Sequence, residues 1–344
     1  MIRTIALLLL VSPILHAADV TATVNPDCIT FKSGSDLITD YKYAGTVAVE
    51  KGEGTKPLAK PYFYPLLAPG GIKVTRDWPM SRGEKGETVD HFHQKSAWFC
   101  HGDVLPDGVE LKTKAKDKAV KGVDFWAEFP GHGRIVCKKV NDPEHNDGTA
   151  TVTTFNEWLT PDGIAILSEK RVISVNALKS GYLISVASEL TPVMGAVTFG
   201  DTKEGSFGVR VPDSFRLNGP GSTGIVTAAD GSTAKAPAKD NLTMWGQHSA
   251  WNDYSGTVKD KAAGISILAH PKNAYASAWH TRAYGLMAAN PFGRKVAAFP
   301  ATKDQTELVK LKKGETLKLS YAIYAHSGDA KAAKVSEVYE QYAK

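Results

Sequence analysis

At 344 residues, 42% hydrophobic and 22% charged, the chain can bury a large core, as one big β domain or two smaller ones. Its net charge of +5 is small and scattered, with much of it in the run Lys112, Lys114, Lys116, Lys118 and Lys121. That run has no interleaved aromatic residues and reads as a solvated loop, which argues against a nucleic-acid partner.

In chain order, the first eighteen residues read as a secretory signal peptide. Arg3 supplies a positive start, Ile5–Val11 is apolar, Ser12-Pro13 breaks the run, and Ala17-Ala18 offers small residues for cleavage. The segment is too short to span a bilayer and no later one is long and apolar enough, so membrane insertion is not expected. The expected mature chain, residues 19–344, is secreted or periplasmic and forms a single domain. Residues 19–60 supply N-terminal strands and 61–344 the main core.

With 31 glycines and 18 prolines, turn signals recur about every eight to twelve residues. Short strand-like runs lie between them: Val20–Val24, Cys28–Lys32, Leu37–Tyr43, Tyr62–Leu67, Ile72–Arg76, Gly133–Val140, Ala150–Leu159, Ile164–Ser174 and Tyr182–Leu190. Further on come Ala196–Phe199, Phe207–Val211, Gly224–Ala228, Gly264–Ala269, Ala274–Ala278, Leu308–Leu311 and Thr316–Ala325. Thr160-Pro161-Asp162-Gly163 is a hairpin turn, and Ala228–Asn241 an exposed low-complexity loop. Only Asp329–Lys344 reads as helix, capped by Asp329 or Ser327, with Val335, Val338, Tyr339 and Tyr342 as its apolar stripe. The fold class that follows is all-β: a large antiparallel two-sheet β-sandwich with a short C-terminal α-helix, binding ligand on a concave sheet face.

The densest polar stretch runs from Asp90 to Asp103 and holds His91, His93 and His101. Read as a strand, it places all three imidazoles on one face with Lys95, where they could exchange protons or ligate a metal. The same pattern also suits solvated or internally hydrogen-bonded histidines. Four other segments concentrate polar groups. In Asp201–Arg210, glycines beside Glu204 leave its carboxylate uncovered, and Arg210 could hold that acid or a substrate oxyanion. Trp245–Tyr254 carries His248, Trp251 and Asn252, which suit a sugar platform as well as a packed strand. His270-Pro271-Lys272-Asn273 forms a turn. In Trp279–Gly285, His280 shares a face with Arg282, whose charge favours a neutral imidazole able to act as a base.

Three cysteines (Cys28, Cys100, Cys137) exclude a thiolate zinc site or an iron–sulfur cluster and allow one intramolecular disulfide at most, Cys100–Cys137 if their strands are neighbours. No G-x-S-x-G elbow, phosphate loop, G-x-G-x-x-G after a strand or H-E-x-x-H helix is present.

Taken together, Tyr62-Phe63-Tyr64-Pro65, Val74-Thr75-Arg76-Asp77, Asp90-His91-x-His93, Asp124-Phe125-Trp126, Asp201–Gly205, Gly208-Val209-Arg210 and Trp251–Gly256 stand in a familiar order, continued by His270-Pro271-x-Asn273 and Trp279–Gly293. From about Tyr62 onward the chain resembles a bacterial secreted family labelled "PmoA family" or "methane oxygenase". The resemblance implies a sandwich like the galactose mutarotase supersandwich and a setting of polysaccharide and glycoside breakdown. Family members usually read Asp-His-Pro-His-His-Arg where this chain departs at Phe92, Gln94 and Lys95, so His91 and His93 carry over and the third histidine and the arginine do not.

The function expected is acid/base chemistry on a sugar or glycoside (epimerase, lyase or hydrolase), with a carbohydrate as the partner and no cofactor. His91, His93, Glu204 and His280 would move protons. Arg76, Asp90, Arg210, His248, Trp251, His270, Arg282 and Asn290 would bind substrate. The alternatives are a non-catalytic sugar-binding protein and a copper or iron oxygenase with His91, His93 and His101 as ligands.

Overall fold

The protein is described here by a computed structural model covering residues 19–49, 54–81, 86–240 and 242–344; the leader-like residues 1–18 lie outside the described residues. Two large antiparallel sheets face each other. The first runs in spatial order Val20–Val24, Cys28–Ser33, Asp36–Lys42, Tyr62–Ala68, Ala97–His101, Gly205–Arg210, Leu286–Asn290 and Ala278–Thr281. The second runs Arg134–Val140, Thr149–Leu159, Ala165–Leu178, Gly181–Pro192, Leu317–Ser327, Lys261–Ala269, Trp251–Val258, Ile225–Ala228 and Thr233–Lys235.

Burial follows from strand position. Thr149–Leu159 alternates strictly, burying Ala150, Val152, Thr154, Asn156 and Trp158, because only one of its faces meets the core. Ala97–His101 and Gly205–Arg210 are buried at every position, since both of their faces are covered. Phe99 and Phe207 sit opposite each other in register and point at the second sheet. There Phe207 stacks on Tyr321 at 5.3 Å and Phe99 meets Trp158 edge-on at 6.1 Å.

The sheets are also joined by a buried polar cluster. On the second sheet Arg171 donates to Glu169 from Nε at 2.7 Å and Nη2 at 2.9 Å, and Nη1 reaches across to the Tyr41 hydroxyl of the first sheet at 2.8 Å. Ser188 and Trp158 supply further donors to Glu169 at 2.6 and 3.0 Å. With the Asn156 amide at 3.3 Å, five donors thus neutralise and saturate one buried carboxylate.

Several local expectations change. The stretch around position 90 is a strand only over Ala97–His101; His91 and Ser96 adopt left-handed φ values of 45° and 53°, so the assumed alternation breaks between them. Trp251–Val258 and Leu286–Asn290 are strands that the sequence reading did not assign, while Ala274–Ser277 is an irregular bend before the strand that starts at Ala278. The helix is confined to Val335–Tyr342, because Asp329 caps a preceding turn through the Ala332 N–H at 2.8 Å. Its Val335 and Val338 cover Trp251, Leu268 and Tyr324. All three cysteines are free: Cys100 lies in the first sheet and Cys137 in the second, so the Cys100–Cys137 bridge does not form. Among the described residues no helix is long and apolar enough to cross a membrane.

Replacing Arg171 by Met leaves Glu169 charged and unpaired between the sheets, which should cost about 3–5 kcal/mol. Lys318→Ala, which removes an exposed ion pair with Glu189, should stay within about 0.5 kcal/mol of the parent. Urea unfolding of the two variants checks both figures.

Candidate functional site

Alternation fixes which side chains leave the core side of the first sheet. With Phe99 and Phe207 pointing inward, Trp98, Cys100, Ser206, Gly208 and Arg210 point outward, and on the neighbouring strands so do Ala288 and His280. Trp126 lies over Trp98 at 5.0 Å, and a Cβ on Gly208 would come within 3.0 and 3.2 Å of these two indoles. Asp124 fixes the turn carrying Trp126 by accepting the backbone N–H groups of Trp126 and Ala127 at 2.6 and 3.0 Å.

Two charge clusters are rooted on this outer face. In the first, Asp90 Oδ1 accepts Arg76 at 2.5 Å and Arg210 at 2.8 Å, and Arg76 also donates to the carbonyls of Asp90 and His91 at 2.5 and 2.9 Å. Arg210 donates to Gln94 at 2.5 Å and lies over the Tyr284 ring at 4.7 Å. Burial alone would raise the Asp90 carboxyl, but the His91 hydrogen bond and the two guanidiniums hold it well below the usual carboxylate range. In the second, Glu128 accepts Lys60 at 2.8 Å and Lys95 at shorter range. Burial pushes the Lys95 ammonium down to about 8, while Lys60 and Lys95 overcome burial to hold Glu128 at about 2.

Between these clusters runs a line of rings with solvent-facing edges. Phe129, 47% exposed, meets His93 at 6.4 Å; His93 meets His91 at 5.9 Å; and His91 stacks flat on Tyr284 at 4.9 Å. His91 Nδ1 lies 3.2 Å from Asp90 Oδ2. Because the carboxylate can only accept, Nδ1 carries the proton and Nε2 of the neutral ring keeps a lone pair. Burial, reinforced by Lys60, pushes the His93 imidazole well below its ordinary value and keeps it neutral. Burial raises the Glu204 carboxyl, and Asp124 adds to the rise while Lys203, His91 and Arg282 oppose it. About a third of the Glu204 side chain is exposed, and its nearest cation is Lys203 at 4.0 Å.

The predicted residues therefore divide. Arg76, Asp90, His91, His93, Glu204, Arg210 and Arg282 come together on this face. Arg282 is clamped to Asp240 (Nε at 2.7 Å) and lies over Trp245 and Tyr284. His280 is buried beside them and donates from Nδ1 to the Lys203 carbonyl at 2.9 Å, which anchors the segment bearing Glu204. Burial, helped by Arg282, pushes it down to about 3. Asn290 is buried and fully engaged with backbone groups of Thr202, Phe292 and Gly293. Trp251 packs under the C-terminal helix, and His248 and His270 line a separate cavity of about 400 Å³. A cavity of about 910 Å³ lies among Lys73, Glu87, Asp213 and Arg216 and adjoins the first cluster through Thr88, whose carbonyl accepts Arg76 Nη1 at 3.4 Å.

His101 corrects the three-histidine grouping. It points into the core; its Nε2 meets the Gly200 carbonyl at 2.8 Å, its Nδ1 lies 3.5 Å from the Ser206 hydroxyl, and burial pushes it down to about 4. Among the described residues no group of three or more His, Cys, Asp or Glu side chains is placed to hold a metal ion. Sequence reasoning missed Phe129, Gln94, Asp240 and the Lys60–Glu128–Lys95 cluster. Their partners lie dozens of residues away, and only Asp124-Phe125-Trp126 nearby gave a signal.

A model of the family described as "Family of unknown function (DUF6807)" matches residues 28–340, beginning well before Tyr62. No curated protein matches the chain. Among solved structures, the chain is similar to a GH36 alpha-galactosidase from Geobacillus stearothermophilus, at 10% identity and a TM-score of 0.44, over 91% of this chain and 42% of that one. It is also similar to a galactose 1-epimerase from Lactobacillus acidophilus, at 9% identity and a TM-score of 0.37, over 91% and 99% of the two chains. The chain thus spans less than half of the alpha-galactosidase. At these TM-scores neither likeness bears on substrate or mechanism.

Because its folded-state carboxyl is depressed, Asp90 stabilises the fold fully above the unfolded value of about 3.9, and loses that contribution as pH falls through the folded value. Asp90→Asn should therefore lower the melting temperature at pH 7 and converge on the parent as the pH drops below about 4. Melting curves between pH 3 and pH 7 test this.

Proposed function

We propose the following for this chain, which belongs to the DUF6807 family of unknown function: it performs acid/base chemistry on a sugar or glycoside at the outer face of its first sheet. The observation that carries the reading is the Asp90–His91 pair within electrostatic reach of Glu204. Asp90 orients His91 and leaves Nε2 as a proton acceptor, while burial favours the proton-bearing form of Glu204. The left-handed φ of 45° at His91 is an energetic cost that the Arg76 and Asp90 bonds hold in place, as expected where a side chain must be aimed.

In this reading Glu204 donates to an anomeric or glycosidic oxygen and His91 accepts from a hydroxyl or water, with the roles exchanged in the second half of the reaction. Neutral His93 binds a hydroxyl, and the exposed Phe129 ring stacks on the C–H face of the sugar. His280 acts through the Lys203 carbonyl as a positioning residue. Arg76, Arg210 and Arg282 hold protein acids, so they support the site rather than grip a substrate anion.

Glu204→Gln and His91→Ala should each lower kcat/KM by about 10²–10⁴, whereas Phe129→Ala should raise KM and spare kcat. Product release from a glycoside panel and NMR anomer exchange of free sugars provide the readouts. In the parent, the pH-rate limb belonging to Glu204 should lie above the ordinary glutamate range. Sugar binding that depends on Phe129, with no turnover in the parent, would make this a binding protein instead.

We further propose that the protein works outside the cytoplasm, on the basis of residues 1–18. Expressed with these residues in a double-membraned bacterium, the exported chain should begin beside Ala17-Ala18 on N-terminal sequencing. An uncut chain retained in the cytoplasm would refute this.

A further inference from the structure

The cavity of about 400 Å³ that takes His248 and His270 away from the proton-transfer cluster has its own chemistry. It lies beyond Ala278–Thr281, the outermost strand of the first sheet, whose free edge is closed by a bridge between Ala278 and His248. On its other side Asn273 ties the 270–273 turn to Leu317–Ser327 by exchanging two hydrogen bonds with Ser320, at 2.9 and 2.7 Å. The walls are thus pinned to both sheets, and Tyr339 of the helix closes one side.

The two imidazoles present opposite hydrogen-bonding senses. His248 Nδ1 lies 3.1 Å from the Ser277 carbonyl, which can only accept, so the neutral ring carries its proton on Nδ1 and keeps an acceptor at Nε2. His270 Nδ1 accepts the Lys272 backbone N–H at 3.1 Å, so its proton sits on Nε2 as a donor. Partial burial and the nearby Lys272 both favour this neutral form of His270. Tyr275 and Tyr339 add aromatic surface, and the lining contains no Asp, Glu, Lys or Arg. One acceptor, one donor, two aromatic rings and no fixed charge match a hydroxyl-rich, uncharged ring. An anion or a cation would find no counter-charge here.

We propose that this cavity is a second binding site for a neutral sugar, separate from the Glu204 face and holding a glycan without acting on it. The inference stands on its own lining and does not need the acid/base reading to hold.

The test is isothermal titration of the full chain with maltohexaose, cellohexaose and β-1,4-galactohexaose. At least one should bind at this cavity. Tyr275→Ala and His248→Ala should each weaken that binding about tenfold or more, while Tyr275→Phe, which keeps the ring, should stay within about twofold. Phe129→Ala should leave this event unchanged, which separates it from the Glu204 face. Unchanged circular dichroism confirms that each variant is folded. The proposal fails if none of the three sugars binds, if Tyr275→Ala and His248→Ala bind like the parent, or if Phe129→Ala abolishes all binding. Stoichiometric Zn²⁺ uptake that His248→Ala removes, with no sugar bound, would reassign the cavity as a metal site and overturn the proposal.

Discussion

The two middle strands of the first sheet, Ala97–His101 and Gly205–Arg210, have no wet side. Their inner faces press Phe99 and Phe207 against Trp158 and Tyr321, and their outer faces lie beneath the segments that carry Asp90 and Trp126. An uncompensated charge rooted there would cost several kcal/mol. Arg210 can therefore exist only because Asp90 and Gln94 meet it, and Lys95 only because Glu128 does. The covering segments are accordingly fastened to the sheet by ion pairs as much as by apolar contact.

This requirement sorts the polar residues by what they have left over. Arg76, Arg210, Arg282, Lys60 and Lys95 spend their charge on protein acids, and Asn290 on backbone groups. Glu204, His91 and His93 retain solvent-facing atoms, and burial has shifted Glu204 and His93 away from their ordinary titration ranges. Such a division leaves saturated groups behind and unsaturated groups in front.

Much of the architecture was legible because its signals are local. The strict alternation of Thr149–Leu159 and the Thr160–Gly163 turn specify strand and hairpin without reference to the rest of the chain. Residue chemistry alone suggested one groove for the groups near 90 and 204 and the histidines from 248 to 280, yet His248 and His270 line a separate cavity. Facing was not legible. His101 went to the core because left-handed backbone at His91 and Ser96 breaks the phase that alternation assumes. The two tryptophans at 245 and 251 look equivalent in sequence, yet strand Trp251–Val258 turns Trp251 under the helix while Trp245 meets His280 and Arg282. Phe129 carries no periodic signal, since its place depends on a turn organised by Asp124 and on an indole resting on a distant strand.

That resting place has an implication for how the surface can vary. Trp126 settles on Trp98 only because position 208 has no side chain, and a single methyl there would meet both indoles at the limit of close approach. Because the same turn carries Phe129 three residues later, enlarging Gly208 would tilt the aromatic rim some distance from the substitution. The rim could then shift with Glu204, His91 and His93 untouched, making a silent backbone position on a middle strand a lever on the shape of this face.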